Sequence, residues 1–174
     1  TVPSGYTKIG TLSTGLPVYK GTTATEIAFV AKSIYAPAFS YQLFSSLRNL
    51  LNIDFSAFNT SKVTNMGNMF FDCSRLTSLD LSNFNTSQVT EMNDMFYACS
   101  RLTSLDVSNF NTTKVTNMGN MFSLCSSLKS LNVSSFNTTK VTNMGSMFSN
   151  CPGLTSLDLS NFNTSQVTNM NNMF

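Results

Sequence analysis

Four cysteines, Cys73, Cys99, Cys125 and Cys151, follow one another at intervals of 26 residues in a chain that contains no histidine. A thiol can hold zinc, close a disulfide or act as a nucleophile, and spacing separates these uses. Tetrahedral zinc sites draw on paired short spacings, which one cysteine per 26 residues does not supply. The lack of histidine removes the commonest general base and the commonest metal ligand together. The thiols are therefore expected to pack as small hydrophobes, with a disulfide between neighbouring copies as the lesser alternative. No catalytic residue, metal site or cofactor is expected, and the chain reads as a protein that is not an enzyme.

Other polar residues recur at the same interval. Asp54, Asp80, Asp106 and Asp158 form a column interrupted by Asn132. Stacked carboxylates repel one another and could recruit Ca²⁺ or a cationic partner, but flanked by small hydroxyls they read first as ordinary solvated surface. Asn59, Asn85, Asn111, Asn137 and Asn163 each open an N-T-[ST] triplet. This is formally a glycosylation acceptor, and it reads first as turn chemistry between two elements. The most variable sites follow each Met-Phe pair: Phe71, Tyr97, Ser123 and Ser149. The candidate interaction surface is Ser78, Asp80, Ser82, Ser104, Asp106, Ser108 and Asp158, together with Phe71 and Tyr97.

The elements that must position these residues come from the repeat itself. Leu79, Leu105, Leu131 and Leu157 keep the 26-residue interval, as do Phe84, Phe110, Phe136 and Phe162. Units run over 50–75, 76–101, 102–127, 128–153 and an incomplete 154–174. Within a unit, Leu79 and Leu81 alternate with Ser78, Asp80 and Ser82, the pattern of a short strand. Val89, Met92, Met95, Phe96 and Cys99 then recur at three- to four-residue spacing, which predicts a helix of about three turns. Such a unit cannot bury its apolar face alone, so copies must stack into columns of identical residues. The expected core columns hold Phe84, Phe110 and Phe136; Phe96, Phe122 and Phe148; and Cys73, Cys99, Cys125 and Cys151. The predicted fold is an α/β repeat solenoid, leucine-rich-repeat-like, with one short parallel strand and one helix per 26-residue coil and right-handed crossovers.

Residues 1–43 are expected to form an N-terminal cap in front of a solenoid over 44–174. A hairpin is predicted from Tyr6 to Tyr19 with Gly15 in its turn, then a helix from Thr25 to Ala36, stopped before Pro37. The chain ends at Phe174, inside a unit, so an exposed C-terminal face capable of end-to-end self-association is expected, and the sequence reads as part of a longer protein.

The strings MFFDCSRLTSLDLSNFNTSQVTEMNDMF (69–96) and MFYACSRLTSLDVSNFNTTKVTNMGNMF (95–122) resemble the BspA-like leucine-rich repeat surface proteins of bacteria. That resemblance covers residues 44–174 and implies a curved solenoid acting in adhesion to host or microbial proteins. In the wider leucine-rich pattern an Asn stands where Phe84 stands here, which speaks against an asparagine ladder of the usual kind.

Charged residues make up 10% of the chain, the net charge is +2, and Arg48, Arg75 and Arg101 are the only arginines. An ordinary globular chain is about 25% charged. With no basic run there is no footprint for nucleic acid or an anionic membrane. The longest apolar stretch, Ile27 to Ala31, is far short of the roughly 20 residues that span a bilayer. The leading expectation is an extracellular, secreted or cell-surface bacterial adhesion or protein-binding module. A structural stalk carrying another domain is the alternative, and ice or carbohydrate binding by Thr and Asn rows the third.

Overall fold

A computed structural model describes residues 6–11, 17–21, 26–28 and 34–174. Its framework is a stack of 26-residue coils. Phe44, Phe70, Phe96, Phe122, Phe148 and Phe174 stack nearly face to face along it, with centroid separations of 5.6–6.1 Å and interplanar angles of 3–19°. These distances are those of attractive aromatic pairs. Around this spine lie buried columns of Leu76, Leu102 and Leu128, of Met92, Met118 and Met144, and of Val89, Val115 and Val141. Leu79 and Leu81 are buried while Ser78, Asp80 and Ser82 are exposed, so the alternation read from the sequence holds in burial.

The helix expected in each coil is absent among the described residues. Residues 92–99 form overlapping β-turns instead. The amides of Met95, Tyr97 and Cys99 donate to the carbonyls three residues earlier, Met92, Asp94 and Phe96. The alternate amides, of Met92, Asp94, Phe96 and Ala98, donate to Asn117, Gly119, Met121 and Ser123 of the next coil. An α-helix would direct every amide four residues back along its own chain. Here half of them link neighbouring coils, and Asp94 and Ala98 take positive φ values of 55° and 57° to turn the peptides outward. Overlapping turns place apolar side chains at the same three- to four-residue spacing as a helix, so the periodicity alone could not separate the two.

The one strand per coil is corrected as well. The described residues hold six strands: β1 (Tyr6–Thr11), β2 (Pro17–Gly21), β3 (Glu26–Ala28), β4 (Ile34–Tyr35), β5 (Asn52–Asp54) and β6 (Phe58–Asn59). Their sheets run β1-β2-β3-β5 and β4-β6, with β1 and β2 antiparallel and the pairs β3–β5 and β4–β6 parallel. Later coils, among the described residues, meet in single parallel bridges through Asn65, Glu91, Asn117, Asn143 and Asn169. The Leu79–Leu81 strip is not a strand, and side chains take backbone groups at its C-terminal end. The Ser82 amide donates to Asp80 Oδ1 at 2.9 Å, and Asn109 Nδ2 reaches the carbonyls of Leu81 and Phe84 at 2.9 and 3.0 Å.

The expected Thr25–Ala36 helix is replaced by β3 and β4, with 29–33 outside the described residues. Ile27 pairs in parallel register with Ile53, 26 residues on, so the coil period reaches back into the segment read as cap. Both side chains are buried, which a continuing strand allows and an isolated helix turn would not. The hairpin turn containing Gly15 lies outside the described residues.

A buried threonine column closes each coil. The Thr86 hydroxyl accepts from the Asn111 amide at 2.8 Å and donates to the Asn111 carbonyl at 3.0 Å, and Thr60, Thr112 and Thr138 repeat the arrangement. Replacing Thr86 by the isosteric Val strands two buried backbone groups. T86V should destabilise the fold by about 2 kcal/mol in denaturant unfolding, and a change within error would show that water replaces the hydroxyl. Ala98 holds a left-handed conformation that glycine adopts freely, so Ala98→Gly should stabilise by about 1 kcal/mol in the same assay.

Candidate interaction surface

The residues with chemical potential fall on separate tracks around the coil. On the strip following the Leu79 column, Ser78, Asp80, Ser82, Ser104, Asp106, Ser108 and Asp158 are all exposed. Each carboxylate closes a turn of its own: Asp54, Asp80, Asp106 and Asp158 accept the amides of Ser56, Ser82, Ser108 and Ser160 at 2.8–2.9 Å. Asn132 does the same for Ser134 at 3.0 Å, which explains why it can stand in the carboxylate column. Hydrogen bonds from Ser82 and Ser108 hold Asp80 and Asp106 below the usual carboxylate range. No group of three or more metal-ligating side chains lies close together among the described residues. The column is thus made of turn-closing carboxylates.

The track of overlapping turns carries the aromatic residues. Phe71 and Tyr97 are half-buried and stack with centroids 4.8 Å apart and planes 6° from parallel. Beside them Arg48 Nε donates to Asp72 Oδ2 at 2.5 Å. In the first coil Phe39, 65% exposed, and Tyr41, 39% exposed, lie 5.6 Å apart. Tyr41 packs over Gly67, where an added Cβ would fall 3.1 Å from its ring. The corresponding positions of later coils hold Asn, Gly, Ser and a single Glu, so the aromatic side chains gather in the N-terminal half.

The cysteines form a different kind of column. Each thiol donates to the carbonyl of the spine phenylalanine 29 residues earlier, Cys73 to Phe44, Cys99 to Phe70, Cys125 to Phe96 and Cys151 to Phe122, at 3.0–3.2 Å. All four are free. Burial pushes the Cys73 thiol up to about 12 and raises Cys99, Cys125 and Cys151 in the same direction. These thiols hold the stack together and are poor nucleophiles, since the thiolate is the reactive form.

Two asparagine columns went unread in the sequence. Asn143 Nδ2 donates to Asn117 Oδ1 and Asn169 Nδ2 to Asn143 Oδ1, both at 2.9 Å, while each Oδ1 also accepts the amide two residues on. A second set, Asn109 and Asn161, bonds carbonyls of the preceding coil. The expectation against an asparagine ladder looked one residue too late: the functional amide precedes Phe110 and Phe162. The signal was the recurring Asn83, Asn109 and Asn161, with Ser135 in the gap. The triplet asparagines do close turns, Asn85 Oδ1 accepting the Ser87 amide at 3.0 Å.

The family described as "Mycoplasma protein of unknown function, DUF285" matches residues 40–129 and 99–174, together most of the coil stack. The chain belongs to that family. No curated protein matches it. A similar solved structure is a leucine rich repeat protein of T. pallidum, 14% identical over 99% of this chain and 81% of that one, with a TM-score of 0.42. At that overlap the solenoid assignment rests on the coil geometry above. Among the described residues no helix is long and apolar enough to cross a membrane.

Differential burial gives the cysteine column a direct check. Cys73, Cys99 and Cys125 are buried, whereas Cys151 is half-buried. Near pH 8, a thiol reagent should label Cys151 first in the native chain and the other three only on unfolding. Equal labelling of all four, located by mass spectrometry, would contradict the buried column.

Proposed function

We propose that this chain is a BspA-like, leucine-rich-repeat type module that binds proteins outside a bacterial cell, at the cell surface or in secreted form, and performs no catalysis. The observation that carries this reading is the stacked Phe71–Tyr97 pair on the turn track. Aromatic side chains dominate the centres of protein interfaces, because they offer large rigid area at small entropic cost. In a chain of 10% charged residues, with Ser123 and Ser149 at the equivalent positions of later coils, that pair is a place where binding energy can concentrate. Phe39 and Tyr41 extend the aromatic area along the same track. The partner is an extracellular protein of a host or another microbe, and nucleic acid is disfavoured by the sparse positive charge.

A spacer holding another domain away from the cell is the second reading, favoured by the uniformity of coils 102–153. The two separate in one binding experiment. Immobilised chain should bind extracellular-matrix proteins, plasma proteins or epithelial cells saturably. Binding should fall by about tenfold or more in a Phe71→Ser, Tyr97→Ser variant. Those substitutions copy Ser123 and Ser149 of the later coils and should leave the fold intact. A folded chain that binds none of these partners would leave the spacer reading standing.

A further inference from the structure

The asparagine column before the phenylalanines has one member that differs. Asn109 and Asn161 each spend their amide on carbonyls of the preceding coil, and Ser135 sends its hydroxyl to the Val107 carbonyl at 3.3 Å. Asn83 makes no side-chain hydrogen bond among the described residues. Its exposed amide opens onto two adjoining grooves of about 330 and 340 Å³, which share Asn83 and Ser56 in their walls. The break falls where the coil before it differs from the rest: residues 52–59 carry β5 and β6, paired in parallel with β3 and β4.

The walls set polar side chains among Ile53, Phe55, Ala57 and Phe58. Asn59, Asn83 and Asn85 supply amides, Ser56 a hydroxyl, and Asp54 and Asp80 carboxylates, with no Lys or Arg in either wall. The Asn83 amide can donate and accept at once, which matches the paired donor and acceptor of an alcohol, while Asn59 and Asn85 accept the Ser61 and Ser87 amides at Oδ1 and offer their Nδ2 donors. Within the grooves themselves, the carboxylates of Asp54 and Asp80 disfavour an anionic ligand. A metal ion would find two carboxylates, each with Oδ1 already accepting a backbone amide. Beside Asn59, its strand partner Tyr35 is 45% exposed and turns its ring outward, with Lys62 Nζ 5.2 Å from the centroid. Polar groups that fix orientation next to an apolar ring are the ordinary composition of a small-ligand site.

We infer that the double groove around Asn83 binds a neutral oligosaccharide, with amides and carboxylates engaging its hydroxyls and Tyr35 flanking one end. This inference stands apart from the protein-binding surface at Phe71 and Tyr97, and either can fail without the other.

The test is binding of the chain to a printed array of neutral oligosaccharides, including chitotetraose, maltohexaose and N-acetyllactosamine, with sialylated counterparts alongside. Binding to neutral glycans should persist in added salt and drop by about tenfold in Asn83→Ala, the cost of one lost hydrogen bond. That variant should melt with the parent chain, because Asn83 holds no carbonyl. Asn109→Ala should melt lower yet, below its transition, bind as the parent does. Binding to none of the glycans, binding to the sialylated set alone, or unchanged binding by Asn83→Ala would overturn the assignment.

Discussion

Every coil of this chain must satisfy its backbone in two directions, and that requirement shapes the rest. Buried amides and carbonyls cannot be left without partners. In residues 92–99 alternate amides turn back three residues and the others reach the next coil. A run built this way is stable only when another copy lies directly above it in register. The 26-residue period follows from that need: a single inserted residue would shift every amide away from its partner in the adjacent coil.

The side chains adapt to this register. Phenylalanines stack because identical positions fall 5.6–6.1 Å apart along the spine, close enough for attraction between rings. Polar residues survive inside for the same reason. Thr60, Thr86, Thr112 and Thr138 are buried at 1% exposure, each hydroxyl joining both the amide and the carbonyl of an asparagine in the next coil. The thiols fill the same role with less polarity, a buried S–H meeting a spine carbonyl. These threonine hydroxyls and the four thiols thus all have backbone partners in a neighbouring coil.

The proposed recognition surfaces, by contrast, are built from residues that break the pattern. Phe71 and Tyr97 occupy positions where later coils place Ser123 and Ser149. Asn83 lacks the bonds of Asn109 and Asn161, and Tyr35 and Phe39 stand in columns otherwise filled by asparagine and by a single glutamate. These departures cluster in the first three coils, against the paired strands β3 to β6. A repeat scaffold tolerates such changes because a turn residue facing solvent contacts its own coil and its neighbours, and no distant element depends on it.

The sequence by itself determined the stack: the interval of Cys73, Cys99, Cys125 and Cys151 set the period, and the alternation of Leu79, Asp80 and Leu81 set which side chains turn inward. Both are properties of order along the chain. Secondary structure was decided only in three dimensions. Met92, Met95, Phe96 and Cys99 have the spacing of a helix, yet partners in the adjacent coil draw off every second amide, and overlapping turns result. Asp80 and Asn109 likewise replace strand pairing with side-chain bonds whose acceptors lie two residues away or one coil back. Nor could the sequence mark Asn83 as different from Asn109, since both precede a phenylalanine. What separates them is that Asn109 bonds the Leu81 and Phe84 carbonyls of the preceding coil whereas Asn83 makes no side-chain hydrogen bond among the described residues, a difference that exists only once the coils are stacked.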